Sequence, residues 1–336
     1  MKVFCTGISG TGATEHIKKV AQYGHSKGQE IKVFNVGLEV FDMAKESGFP
    51  ITPAGVLDLN RRSIHYLTSA VYQKIAREIT DHEHCIVDAH IHFRWRGTVT
   101  DAVTPRMVEW LNPDAYVTMM DLARPILKRL ESPKKDNEQW KSECEKGNLN
   151  IENILDLQNY EVNTTEQWAS AYKKTMYVLP SNDSVDSLYK ISTRPDVEIA
   201  YVSFPITHLK EDKDSQQKID QFVEELRRFK NLAVISPHSV KLPEKPSDIE
   251  NQHTVMQDLE WFVEKSTKRI FVYFPKKVYS GGAVHESIKA KESCKEVWFI
   301  APEDMNDPFT NSTLRQRFYS PEECIEKLLK SGMERE

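Results

Sequence analysis

Short apolar runs recur along nearly the whole chain, and the stretches between them carry their apolar residues at helical spacing. A chain with this rhythm is restricted to parallel sheets covered by helices on both faces, because a parallel crossover needs a helix-sized connection. The pattern predicts strands over 2–6, 30–35, 85–88, 115–119 and 176–179. Helices are predicted over 14–25, 38–47, 61–80, 104–111, 123–130, 163–174 (Thr165 as its cap) and 184–191. After Ser-Thr-Arg-Pro-Asp at 192–196 the rhythm restarts, with strands over 198–204, 232–236, 270–274 and 296–300 and helices over 214–229, 253–264, 286–293 and 321–331. The expected fold class is therefore α/β, two doubly wound parallel-sheet domains over 1–193 and 197–336, with the polar, lysine-rich stretch 131–150 read as an excursion from the first.

Composition narrows the partners. With 336 residues and a formal charge of −5, the chain has length for about two domains and no overall field that would draw it to nucleic acid or an anionic membrane. The short basic stretches 133–135 and 241–245 lack the interleaved aromatics that stack bases. The five cysteines are odd in number and free of metal-ligand spacing, which suits a reducing compartment. No leader pattern or long apolar window is visible, so the cytoplasm is the expected location, with neither membrane nor nucleic acid as partner.

The first predicted strand ends in Gly7-Ile-Ser-Gly-Thr-Gly-Ala-Thr14, which fits G-x-x-x-x-G-K-[ST] at every defined position except the lysine, here Ala13. Gly7, Gly10, Gly12 and Thr14 are the candidate phosphate contacts, and Asp88 at the end of the third strand is a candidate magnesium holder. The layout, with Ile86-Val-Asp-Ala-His90, Trp110-Leu-Asn-Pro-Asp-Ala115 and Gln167-Trp-Ala-Ser-Ala-Tyr172, resembles the archaeal-type adenylate kinase branch of P-loop nucleoside monophosphate kinases over about 1–192. The resemblance implies a P-loop kinase-like fold that takes a nucleotide and magnesium. The chain departs from it in two ways: the lysine is absent, and no arginine lies between Arg129 and Arg194, where the family keeps lid arginines. Lys18 or Lys134 could replace the lost charge, or the loop could be only a turn. His90 and His92 suggest a metal, but no third ligand stands at useful spacing, so no metal site is expected.

In the second half, Ala200-Tyr-Val-Ser-Phe-Pro205, Gln257-Asp-Leu-Glu-Trp261 and Tyr279-Ser-Gly-Gly-Ala-Val-His-Glu286 together resemble the nucleoside 2-deoxyribosyltransferase and 2'-deoxynucleoside 5'-monophosphate N-glycosidase superfamily, its S-x-G-x-x-x-E branch above all. That resemblance implies a Rossmann-like, deoxyribosyltransferase-like domain in which Glu286 is the carboxylate at the sugar C1', Asp258 the acid at the base and Tyr201 the partner that orients Glu286. Ser203, Ser280, Gly281 and Gly282 are the implied substrate and phosphate contacts. Family members commonly form dimers or larger assemblies in which a neighbour's polar residue completes the pocket, a role for which Asn311 and Ser312 stand in a suitable place. Each residue also has a plain reading: Glu286 as a first-turn complement to a helix dipole, Asp258 as half of a surface pair, Tyr201 as core, Ser280-Gly-Gly as a turn.

The expected activity is cleavage of the base–sugar bond of a (deoxy)nucleoside 5'-monophosphate through a carboxylate nucleophile. This chemistry needs no cofactor. The kinase-like domain would serve binding, regulation or assembly. The alternatives are a nucleotide sensor without turnover and an atypical nucleotide kinase.

Overall fold

A computed structural model describes residues 1–132, 138–209, 211–236, 245–265, 268–305 and 312–336. The chain divides into two units, Met1–Thr193 and Arg194–Glu336. In the first, β1 (Lys2–Thr6), β2 (Lys32–Asn35), β3 (Cys85–Ala89), β6 (Ala115–Met120) and β7 (Thr175–Pro180) form a sheet in the order β2-β3-β1-β6-β7, while β4 (His92–Trp95) and β5 (Thr98–Asp101) pair as a separate hairpin. Its helices are α1 (Ala13–Ser26), α2 (Val36–Glu46), α3 (Arg61–Glu78), α4 (Pro105–Leu111), α5 (Ala123–Leu130), α6 (Glu138–Glu145), α7 (Ile151–Ala171) and α8 (Val185–Thr193). Every pairing within the five-stranded sheet is parallel. Central strands of such a sheet are covered on both faces, and accordingly all of β3 and β6 is buried.

The second unit holds β8 (Glu198–Ser203), α9 (Ile206–Leu209), α10 (Lys213–Arg227), β9 (Leu232–Ile235), α11 (Asp248–Met256), β10 (Arg269–Tyr273), α12 (Gly281–Glu292), β11 (Glu296–Ile300), β12 (Gln316–Phe318) and α13 (Pro321–Lys330). Its parallel sheet runs β9-β8-β10-β11-β12, which in order of appearance is 2-1-3-4-5. This order reverses between β8 and β10, and in open α/β sheets the crevice beyond the carboxyl ends at such a reversal is the usual ligand position. The two-residue period of β8 divides its side chains: Ala200 and Val202 join Phe222, Leu226, Ile325 and Leu328 in the core beneath α10 and α13, so Tyr201 and Ser203 face the opposite side. Phe222 alone anchors enough of that core that its truncation to alanine would cost about 3–5 kcal/mol.

The α/β class with two parallel sheets is the one read from the rhythm, and several element boundaries move. The helix predicted over 163–174 begins at Ile151 with Asn150 as its cap, so Thr165 is a buried mid-helix residue that donates to the Glu161 carbonyl. The stretch 131–150 contains α6, with Gln139 and Glu143 buried. The helix predicted over 253–264 starts instead at Asp248, behind a Ser247–Glu250 capping box, and passes into a π-helical segment, Gln257–Lys265. The last major correction is α12, which starts at Gly281, so Glu286 stands beyond its first turn and outside the reach of the helix-end dipole.

Candidate functional sites

The first site lies where β1 gives way to α1. Gly10 and Gly12 both take left-handed backbone, φ 85° and 88°. Gly7 is required by crowding instead, since a Cβ there would lie 2.9 Å from the Met119 carbonyl oxygen. Thr14, in the first turn of α1, donates to Asp88 Oδ2 at 2.7 Å, and Asn35 Nδ2 donates to the same oxygen at 2.7 Å from the end of β2. Three adjacent strands or their connections thus fix one buried carboxylate beside the loop. A magnesium ion, if bound, would draw its protein ligands from Thr14 and Asp88, the oxygen donors that a hard cation prefers.

The pocket over this loop has a volume of about 470 Å³ and is lined by Ser9 to Glu15 together with His90, Arg129 and Trp140. Arg129, from the last turn of α5, donates to the Gly10 carbonyl and pairs with Asp121, whose side chain is only 3% exposed. Lys18 pairs with Glu15 on the exposed side of α1 and does not line the pocket, while Lys134 lies outside the described residues. The two histidines turn to different partners. His90 Nδ1–H donates to the Gly7 carbonyl; His92 sits between Asp101 Oδ1 at 2.9 Å and Thr164 Oγ1 at 2.8 Å. Among the described residues there is no cluster of three metal-ligating side chains.

Beneath the loop, Glu161 of α7 is fully buried. It accepts from Thr6 at the end of β1 and from the backbone N–H groups of Ile91 at 2.9 Å and His92 at 3.0 Å. Burial pushes its pKa up, and these donors pull it back. Sequence reasoning missed Glu161, Asn35, Asp121 and the loop contact of Arg129. Only Glu161 left a signal, a carboxylate in line with Leu157, Val162 and Trp168 on the buried face of its helix.

The second site lies at the reversal point of the other sheet. Tyr201, wholly buried on β8, donates its hydroxyl to Glu286 Oε1 at 3.2 Å. Asp258 enters from the π-helical segment, a rare form that is frequent at functional sites because its extra residue per turn re-aims side chains. Burial, reinforced by the charge of Glu286, holds the Asp258 carboxyl well above the usual carboxylate range. Burial also pushes Glu286 up to about 7, while the hydroxyls of Ser203 and Tyr201 favour its charged form. The two carboxylates together, after burial, drive Tyr201 well above the usual phenol range. The three groups therefore share one electrostatic neighbourhood, and Asp258 Oδ1 is buried there without a hydrogen-bond partner among the described residues.

Ser280 caps α12 by accepting from the Ala283 N–H at 3.3 Å. Gly281 and Gly282 take no left-handed backbone, and a Cβ on either would meet nothing within 4 Å, so the fold by itself does not demand glycine there. Their bare N–H groups form the first turn of the helix that carries Glu286. Ser312 is exposed, and its carbonyl accepts from Lys291 of α12 at 2.6 Å; Asn311 lies outside the described residues. Of the residues expected at this site, Tyr201 and Glu286 are in direct contact, Ser203 and Asp258 join them electrostatically, and Ser280 to Gly282 stand at the N-terminus of the same helix.

Comparison with known proteins bears on the first unit. Residues 6–145 match the family described as AAA domain. Among solved structures, shikimate kinase from Bacteroides thetaiotaomicron is similar at 14% identity and a TM-score of 0.32, over 57% of this chain and 95% of that chain. No curated protein matches the chain. No helix among the described residues is long and apolar enough to cross a membrane. The matched stretch contains the glycine loop, and the two together support a P-loop domain in the first unit.

Proposed function

We propose that the second unit is a nucleotide N-glycosidase and that the P-loop unit of the same chain binds a nucleotide. The observation that carries this reading is the Tyr201–Glu286 hydrogen bond at the sheet's reversal point, with the Asp258 carboxyl pressed against the same charge. Glu286 attacks the sugar C1' as the C1'–N bond breaks, forming a sugar ester on its carboxylate. The proton leaves Asp258 for the departing base, so atoms and charge balance. Water then cleaves the ester at C1', releasing the free sugar phosphate, and returns a proton to Asp258. The division of labour follows from the electrostatics. Burial raises both carboxyls, the charge of Glu286 adds to it at Asp258, and two hydroxyl groups favour the ionised form of Glu286, so Asp258 is the acid and Glu286 the nucleophile of this reading.

The open N–H groups of Gly281 and Gly282 support a substrate carrying a 5'-phosphate, which a helix N-terminus favours. The purified chain incubated with ribo- and deoxynucleoside monophosphates should release free base, measured by liquid chromatography with mass detection, and Glu286→Gln should not. Equal release by both proteins, or none by the wild type, removes the reading.

A second reading, an atypical nucleotide kinase, has support of its own and is the one toward which the family match points more directly. The Thr14–Asp88–Asn35 arrangement is suited to holding a magnesium–nucleotide. It predicts phosphoryl transfer from ATP to a nucleoside monophosphate that Asp88→Asn abolishes. Transfer unaffected by that change, or no transfer at all, removes it.

A further inference from the structure

The P-loop has lost its lysine at Ala13, yet its pocket is not without a cation. Arg129 reaches it from α5, a different element, and its guanidinium touches the loop backbone at Gly10. A Cβ placed on Gly12 would lie 3.5 Å from Arg129 Nη1, so the charge stands over the stretch of loop that lines the pocket. The guanidinium is held from behind. Asp121 is buried, accepts from Arg129 Nη2, and is itself fixed by Asn182 Nδ2 at 3.0 Å and the Leu122 N–H at 2.8 Å. A charge anchored by one buried carboxylate can exchange its loop carbonyl for a phosphate oxygen without moving, and a planar fork suits that exchange.

We propose that Arg129 is the phosphate-binding cation of this loop, doing from α5 what a lysine at position 13 would do from the loop itself, and that its ligand is the polyphosphate end of a nucleotide. The inference rests on the reading of the loop as a phosphate site. It also gives Asp121 a role: as a positioning residue it orients the guanidinium, and it lowers the net charge that an incoming phosphate meets. Such a site binds polyphosphate through geometry more than through bare attraction.

The test is calorimetric titration of the full-length protein with ATP, GTP and inorganic tripolyphosphate, the last being blind to the base, in magnesium at fixed ionic strength. Arg129→Ala strands a buried carboxylate, so the decisive comparison is Asp121→Asn against Asp121→Asn/Arg129→Gln, with thermal melts to show that both fold. Loss of charge-assisted hydrogen bonds predicts binding weaker by about 10–100-fold in the double variant. Adding Ala13→Lys to that double variant should recover most of the loss, because the lysine would occupy the position now served from α5. If the wild type binds and the double variant binds equally well, Arg129 is not the cation and the proposal falls while the loop reading stands. If the wild type binds none of the three probes, the loop reading falls and takes the proposal with it.

Discussion

The two units place a buried carboxylate at the carboxyl edge of a parallel sheet in opposite ways. In the first, Glu161 receives three donors and Asp88 two, and the Arg129 charge is neutralised by Asp121. In the second, Glu286 receives the Tyr201 hydroxyl while Asp258 keeps an oxygen with no partner among the described residues, and the charge of Glu286 raises the cost of ionising Asp258. A satisfied buried carboxylate holds a loop in shape. An unsatisfied pair is electrostatic strain that a folded chain keeps only where a substrate or a proton relieves it, which is why strongly perturbed groups cluster at reactive sites. Under the proposed reading, the first edge serves rigid binding and the second serves chemistry.

The contrast can be broken most directly at the chemical end. Glu286→Gln should lower base release by at least about 10³-fold, the scale on which removal of a covalent nucleophile is felt; single-turnover base release measures it, and a loss of less than tenfold would demote Glu286 to a bystander. At the binding end, Glu161→Gln turns an amide N–H₂ toward N–H donors. It should cost about 2–4 kcal/mol of stability by denaturant titration, whereas an unchanged midpoint would mean that the first edge is not held by this carboxylate.

Two smaller effects separate strain from structure. Because burial raises Glu286 from its usual value to about 7, protonation favours the folded state, and this stabilisation is lost as pH rises through about 7. Glu286→Gln, neutral at every pH, should therefore be more stable than the wild type at pH 8 by about 1–3 kcal/mol and about equal to it below pH 4.5, the window set by that shift. Thermal melts at the two pH values check the sign; a loss of stability at pH 8 would show that the carboxylate is favourably solvated instead. Finally, base release by the wild type should rise about tenfold between pH 6 and pH 8 as Glu286 ionises, then fall when Asp258 loses its proton. A flat profile would separate the rate from this pair.

Local chemistry was legible along the chain. The alternation of buried strands and amphipathic helices specified the α/β class, since a parallel pairing of β1 with β3 and β6 requires the helical crossovers that the periodicity displays. The glycine loop after β1 was readable for the same reason: left-handed backbone at Gly10 and Gly12 leaves a mark in residue type. Even the true start of α11 was written in the chain, as the Ser247-x-x-Glu250 box, although the apolar spacing pointed further along. The order Tyr201, Asp258, Glu286 marked a set of polar residues, while the chain alone left open whether they met.

What the tertiary structure alone decided is which distant groups share a dielectric environment. The 3.2 Å contact between Tyr201 and Glu286 spans 85 residues and exists because the sheet order reverses between β8 and β10. Arg129 reaches Gly10 across 119 residues because α5 packs on the loop. Asp258 is turned inward by a π-helical segment that no periodicity announces. Periodicity and turn chemistry act over a few residues and are carried by residue type. Burial, charge coupling and the pKa shifts they cause depend on the distance between side chains from separate elements, and that distance is set only when the sheets assemble.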